Sequence, residues 1–221
     1  MSIRTRFDKQ LANLNTLLIE MGTLVERAIA DANRALIERD AALAKKAIAM
    51  DDEIDRQEKE IETLCLKIIM QQQPVAGDLR LVSSVLKITT DLERIGDHAA
   101  DISEITMRIS EKPYVEKPED YFPQMAAATM KMVTGSIDAF VKKDLTLAEG
   151  VIAYDKMVNG LFEKVKKALV ELIRQNAKDS DQAIDLIMIA KYFERIGDHA
   201  KNIAEWVIFS LTGMHKDTQV M

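Results

Sequence analysis

A seven-residue string, ERIGDHA, occurs twice in this chain, at 93–99 and at 194–200, an offset of 101 residues. The match extends outward with drift. VLKITTDLERIGDHAADISEI (85–105) aligns with LIMIAKYFERIGDHAKNIAEW (186–206), and ALIERDAALAKKAIAMDDEID (35–55) aligns with AFVKKDLTLAEGVIAYDKMVN (139–159) at an offset of 104. The three-residue change falls between the blocks, where a turn absorbs it. Two copies of ~100 residues are too few and too long for a solenoid, so they read as two domains of one plan. Three of the four prolines, Pro113, Pro118 and Pro123, crowd into EKPYVEKPEDYFP. Proline removes a backbone donor and restricts the residue before it. The expected division is therefore a first domain over 1–110, a linker over 111–123 and a second domain over 124–221.

Each half breaks at matching places. Asp40 and Asp144 precede apolar-periodic runs and are good helix N-caps. Pro74 with Gly77 marks a turn whose counterpart is QNAKDSD at 175–181. These breaks predict three helices per half, over 5–38, 41–72 and 78–110, then 122–142, 145–176 and 181–211. In the third helix Val85, Ile88, Leu92, Ile95, Ala99 and Ile102 recur at three- and four-residue spacing. Leu186, Ile189, Phe193, Ile196, Ala200 and Ile203 repeat the pattern. That is the buried stripe of a bundle helix, and short connections make neighbours antiparallel. The fold class is all-α: two tandem three-helix bundles, six long antiparallel helices, joined end to end or side by side. With 8 glycines and 4 prolines in 221 residues, turn-rich β architectures have little support.

The formal charge of −6 argues against general nucleic-acid binding, which needs a basic face. Cys65 stands alone, so neither an internal disulfide nor a cysteine zinc site can form. No stretch approaches 18 uninterrupted apolar residues, and MSIRTRFDKQLANL lacks the apolar core of a signal peptide, so a cytoplasmic location is expected. No phosphate-binding glycine loop, GxSxG or HExxH occurs.

Chemistry concentrates in the acids. Glu93, Asp97 and Asp101 are spaced i, i+4, i+8, which lays one carboxylate ridge along the expected outer flank of the third helix. The second helix carries Asp51, Asp52 and Asp55, with Ala47, Met50, Ile54 and Ile61 as its seam. On an antiparallel hairpin, level residues are equidistant from the turn. The midpoint of Asp51 and Asp97 is Pro74, and so is that of Asp55 and Glu93. In the second half Asp155 with Asp198, and Asn159 with Glu194, share a midpoint between Asn176 and Ala177. Two rows of oxygen ligands at one height suit hard cations such as Mg²⁺, Mn²⁺, Ca²⁺ or iron. A solvated acidic face is the alternative. His98 and His199 either join the metal or hydrogen-bond locally. Gly96 and Gly197 suit close helix approach, while the twelve methionines and Trp206 read as packing.

With ERIGDHA doubled, and with DLRLVSSVLKITTDLERIGDHA (78–99) behind QQPVA, the chain resembles the PhoU family of phosphate-specific transport system accessory proteins. The resemblance spans nearly the whole chain. It implies a cytoplasmic homodimer of two three-helix bundles without enzymatic activity. It implies a negative regulator of the phosphate-starvation response that contacts the ATPase subunit of the phosphate ABC transporter and the phosphate-sensing histidine kinase, reaching the membrane only through the transporter. It also implies multinuclear metal, iron in some members, on paired [DE]xxxD motifs. These fall on Asp51, Asp55, Glu93, Asp97 and Asp101, and on Asp155, Glu194 and Asp198, with Asn159 and Asn202 departing from the pattern. A metal-dependent phosphohydrolase and a regulator of another anion transporter are the competing readings.

Overall fold

The computed structural model describes residues 3–111, 121–216 and 218–219. Helices α1 (Ile3–Glu38), α2 (Ala41–Ile48), α3 (Asp51–Gln72) and α4 (Ala76–Ser110) build the first half. Helices α5 (Tyr121–Lys142), α6 (Leu145–Gln175) and α7 (Ser180–Thr212) build the second. Two short strands, Met214–His215 and Thr218–Gln219, pair antiparallel after α7. The two halves are all-α and match the six-helix plan, apart from one break.

The α1–α2 and α5–α6 turns are the same device used twice. Arg39 and Lys143 adopt left-handed backbone, with φ of 56° and 54°. The Asp40 N–H then reaches back to the Ala35 carbonyl at 3.0 Å, and the Asp144 N–H to the Ala139 carbonyl at 2.9 Å, closing the C-terminal turns. The next helices start on the expected caps. Asp40 Oδ1 accepts from the Ala42 and Leu43 N–H groups at 2.9 and 3.0 Å, and Asp144 Oδ1 accepts from Leu147 N–H at 3.0 Å.

The expected helix over 41–72 is two helices. At Ala49–Met50 the ladder tightens: Met50 N–H bonds to Ala47 carbonyl and Glu53 N–H to Met50 carbonyl, at 3.1 and 3.0 Å. This puts Asp51, Asp52 and Glu53 in the first turn of α3, where unpaired N–H groups favour carboxylates. The aligned stretch of α6 runs through without a break. Of the expected linker, 112–120 lies outside the described residues, including Pro113 and Pro118. Residues 121–123 belong to α5. Pro123 sits in its first turn, where a missing N–H leaves no helical bond unmade.

Every residue of both expected stripes is buried. The cores of the two halves merge into one apolar cluster running from Phe7 to Val207. The halves lie side by side, with α4 antiparallel to α7: Arg108 pairs with Asp185 at 2.7 Å, and Asp91 with His199 at 2.8 Å. Helices α1 and α5 meet where a side chain on Gly22 would strike Ile137, and Thr134 Oγ1 donates to Glu26 Oε1 at 2.7 Å. Two further glycines set the spacing beneath the acids. A Cβ on Gly96 would lie 2.7 Å from Ile54 Cδ1, and one on Gly197 would lie 3.2 Å from Val158 Cγ1. Gly96 thus draws α3 onto α4 beside Asp97, and Gly197 draws α6 onto α7 beside Asp198.

Candidate functional site: two acidic ridges

Because Gly96 brings α3 close, the first ridge is a half-buried flank between helices rather than an open convex face. The Glu93 side chain is 16% exposed and Asp97 30%. Arg94 lies over both: its Nε is 3.4 Å from Glu93 Oε2, and its Nη1 donates to Asp97 Oδ2 at 2.7 Å. Lys59 approaches Asp55 at 3.7 Å. Asp51 Oδ1 is buried without a hydrogen-bond partner.

Burial and neighbouring acids set the electrostatics of this flank. Burial pushes the Asp51 carboxyl up to about 6, and Asp97, Asp55, Asp52 and Asp101 each add repulsion. Burial likewise pushes Glu93 up to about 7, with Asp97 raising it, Arg94 opposing, and Glu58 and Asp55 adding more. Asp51 therefore lies within electrostatic reach of Asp97 and Asp101 on α4, and Glu93 within reach of Glu58 and Asp55 on α3. Glu58 also belongs here, held above the usual carboxylate range by burial, then by Glu62 and Asp55. Its signal was present in the sequence: Asp51, Asp55, Glu58 and Glu62 follow one 4-3-4 stripe along α3.

The aligned stripe in α6 reads Asp155, Asn159, Phe162 and Lys166. Asp155 is buried, and its Oδ2 accepts from Asn159 Nδ2 at 3.1 Å and from Lys201 Nζ at 3.4 Å. Its Oδ1 and the Asn159 Oδ1 are buried without partners. Lys191 forms an ion pair with Glu194 and lies 5.3 Å from the centre of the Phe162 ring. Desolvation, then Glu194 and Asp155, raise the Asp198 carboxyl, against the pull of Lys191 and Lys201. So Asp155, Asn159, Glu194 and Asp198 do form a second ridge, but two lysines share it. Alignment alone exposes both lysines, since Lys191 stands opposite Thr90 and Lys201 opposite Ala100.

Asn202 stands apart from this ridge. Its amide donates to Asp91 Oδ1 at 3.3 Å, across the α4–α7 seam. Asp101 reaches both ways: it repels Asp51 and also pairs with His98 Nδ1 at 3.3 Å. His98 and His199 hydrogen-bond to carboxylates, on the seam side of the ridges.

Among the described residues, no three histidine, cysteine, aspartate or glutamate side chains converge on a single ion position. The donor chemistry nonetheless differs between the ridges. The first clusters more carboxylates, two of them pushed toward protonation, and like the second it holds a buried oxygen without a partner. A hard cation would answer all three features. In the second, lysine ammonium groups already supply the positive charge. A separate cavity of about 530 Å³ between α5 and α6, lined by Met132, Gly135, Leu147, Val151 and Tyr154 among others, includes no ridge residue.

The PhoU domain family model matches residues 18–106 and 122–207, one match in each half. The phosphate-specific transport system accessory protein PhoU homolog of Pseudomonas aeruginosa is 36% identical over 96% of this chain and 87% of its own length. The relative of the same description from Clostridium acetobutylicum is 34% identical over 97% of this chain and 98% of its own. The crystal structure of PhoU from Pseudomonas aeruginosa superposes with a TM-score of 0.88, covering 94% of this chain and all of that one, at 36% identity. The phosphate transport system regulatory protein PhoU from Streptococcus pneumoniae gives 0.87 at 25% identity, over 96% of this chain and all of its own.

Proposed function

This chain belongs to the PhoU family, and from that premise we propose that it regulates phosphate uptake and restrains the phosphate-starvation response from the cytoplasm. The observation that carries this reading is the double family match, one per half, together with relatives described as phosphate-transport accessory proteins over nearly their whole length. The chain acts by contact rather than by turnover. As a homodimer it engages the ATPase subunit of a phosphate ABC transporter and a phosphate-sensing histidine kinase. Among the described residues no helix is long and apolar enough to cross a membrane, which accords with action at a transporter's surface. The repeat units 1–110 and 124–221 serve as its two modules.

Metal belongs to the first ridge in this reading. Asp51, Asp55, Glu93 and Asp97 hold it, with Asp101 at one end and Glu58 at the other. The ion supplies positive charge that offsets carboxylate repulsion and ties α3 to α4. The chain's own residues do the rest: Gly96 sets the helix spacing and Arg94 restrains Glu93 and Asp97.

Deletion of the gene in phosphate-rich medium tests the regulatory reading. The expected result is raised expression of phosphate-starvation genes, with the transporter ATPase and the kinase recovered on the tagged protein from lysates. Unchanged expression and unchanged phosphate uptake would overturn it. So would steady-state phosphoester or ATP hydrolysis by purified protein that Asp97→Ala abolishes.

A further inference from the structure

The α4–α7 seam holds a second cluster of ligating side chains beside the ridges, and of the residues placed at the first ridge it includes only Asp101. The repeat maps His98 onto His199, Asp91 onto Tyr192 and Asp101 onto Asn202. The His98 and His199 ring centres lie 5.5 Å apart and the rings are tilted by 42°, so the two histidines adjoin across the α4–α7 seam. Strict repetition would give both histidines the same partner. Instead the partners have drifted in a complementary way. His199 Nδ1 pairs with Asp91 Oδ1 at 2.8 Å, which Asn202 Nδ2 also holds at 3.3 Å. His98 has Tyr192 where His199 has an acid, with ring centres 5.4 Å apart, and takes its carboxylate from Asp101 at 3.3 Å. Each imidazole thus keeps one carboxylate on Nδ1.

A carboxylate on Nδ1 fixes the proton there and leaves Nε2 with its lone pair outward, the arrangement found behind metal-bound histidines. His98 is 8% exposed, and its Nε2 is buried with no partner. The spacing also agrees. With a zinc–nitrogen bond of about 2.0–2.1 Å, each ring centre sits roughly 3.2 Å from the ion, and a tetrahedral angle puts two centres roughly 5.2 Å apart. We propose that His98 and His199 form a two-imidazole site for a borderline transition metal such as Zn²⁺, bridging the two halves at the α4–α7 seam, with solvent completing its coordination. Imidazole selects Zn²⁺, Cu²⁺ or Ni²⁺, whereas the all-oxygen ridge selects harder ions. The seam site depends neither on the regulatory reading nor on metal at the ridge.

The test uses full-length protein stripped of metal and titrated with Zn²⁺ in excess Mg²⁺, which competes for the carboxylates. The X-ray absorption spectrum of the loaded protein is recorded at the zinc edge. Wild type should bind one Zn²⁺ per chain with two-imidazole scattering. His98→Gln and His199→Gln should each weaken binding at least tenfold. Asp91→Asn, which removes the carboxylate behind His199, should weaken it roughly 10- to 100-fold while retaining imidazole scattering. Glu93→Gln/Asp97→Asn should leave it unchanged. Zinc bound without imidazole scattering, or unchanged affinity in both histidine variants, overturns the proposal. If a histidine variant fails to fold, the wild-type zinc-edge spectrum decides by itself.

Discussion

The two ridges align within the repeat and occupy matching helix pairs, yet their electrostatics differ. In the first, Asp51, Asp55, Glu58 and Glu62 follow one stripe of α3 and face Glu93 and Asp97, with Arg94 above them. In the second, that stripe has become Asp155, Asn159, Phe162 and Lys166, and Lys191 and Lys201 bond to its acids. The apolar stripes beneath are buried throughout in both. Drift has spared what the core requires and altered what the flank displays. Core packing tolerates little change in volume, whereas a flank can exchange charge at small cost to folding. The first half leaves repulsion for a cation to relieve. The second relieves part of its own through Lys191 and Lys201, though Asp198 stays raised.

Restoring the first half's residues in the second gives the largest expected effect. Asn159→Asp with Lys191→Thr and Lys201→Ala copies Asp55, Thr90 and Ala100. The variant should bind an added metal ion and, at a hundredfold excess over the dissociation constant, gain about 2.7 kcal/mol of stability. Titration calorimetry and a metal-dependent thermal midpoint check it.

Next comes pH, without metal. Asp51 and Glu93 have folded-state values of about 6 and about 7, above their ordinary 3.8 and 4.5. A raised carboxyl pKa means that the folded chain holds those protons more tightly than the unfolded chain. These groups favour folding fully below pH ~4, and that contribution is lost as pH rises through 6 to 7. Asp51→Asn/Glu93→Gln should therefore be more stable than wild type at pH 8, by about 1–2 kcal/mol after solvent screening, and lose the advantage near pH 4. Urea melts across that range check the sign. Asp155→Asn/Glu194→Gln, which removes acids already bonded to lysine, should give no such gain.

A smaller contrast lies in the glycines. Gly96→Ala should destabilise by about 1 kcal/mol, because crowding against Ile54 outweighs the gain in helix propensity. Gly197→Ala, with a looser contact to Val158, should be neutral or slightly stabilising. Smallest is Glu58→Gln, at the end of the first ridge, which should weaken its metal affinity only two- to threefold, or about 0.4–0.7 kcal/mol.

Much of this was legible in the sequence because it depends on local spacing. Asp40 and Asp144 cap helices because a short acid before an apolar run has nearby N–H groups to bond. The hairpin midpoint at Pro74 brought Asp51 level with Asp97 before any coordinates. What stayed hidden depends on how the halves meet. Asn202 aligns with Asp101 and reads as a ridge residue, but side-by-side packing brings Asp91 within reach of its amide. The break at Met50 follows from a tightened backbone turn with no proline or glycine to announce it. The half-burial of Glu93 follows from Gly96 and Ile54 together, and neither residue alone indicates it.

The most direct test of the contrast between ridges is metal content after purification and reloading, with the thermal midpoint of each sample, for wild type, Glu93→Ala/Asp97→Ala and Glu194→Ala/Asp198→Ala. The first pair should abolish most hard-metal binding and the metal-dependent rise in midpoint, and the second pair should leave both nearly intact. Loss of metal from the second pair with retention in the first would contradict the account, as would a midpoint indifferent to metal in all three proteins.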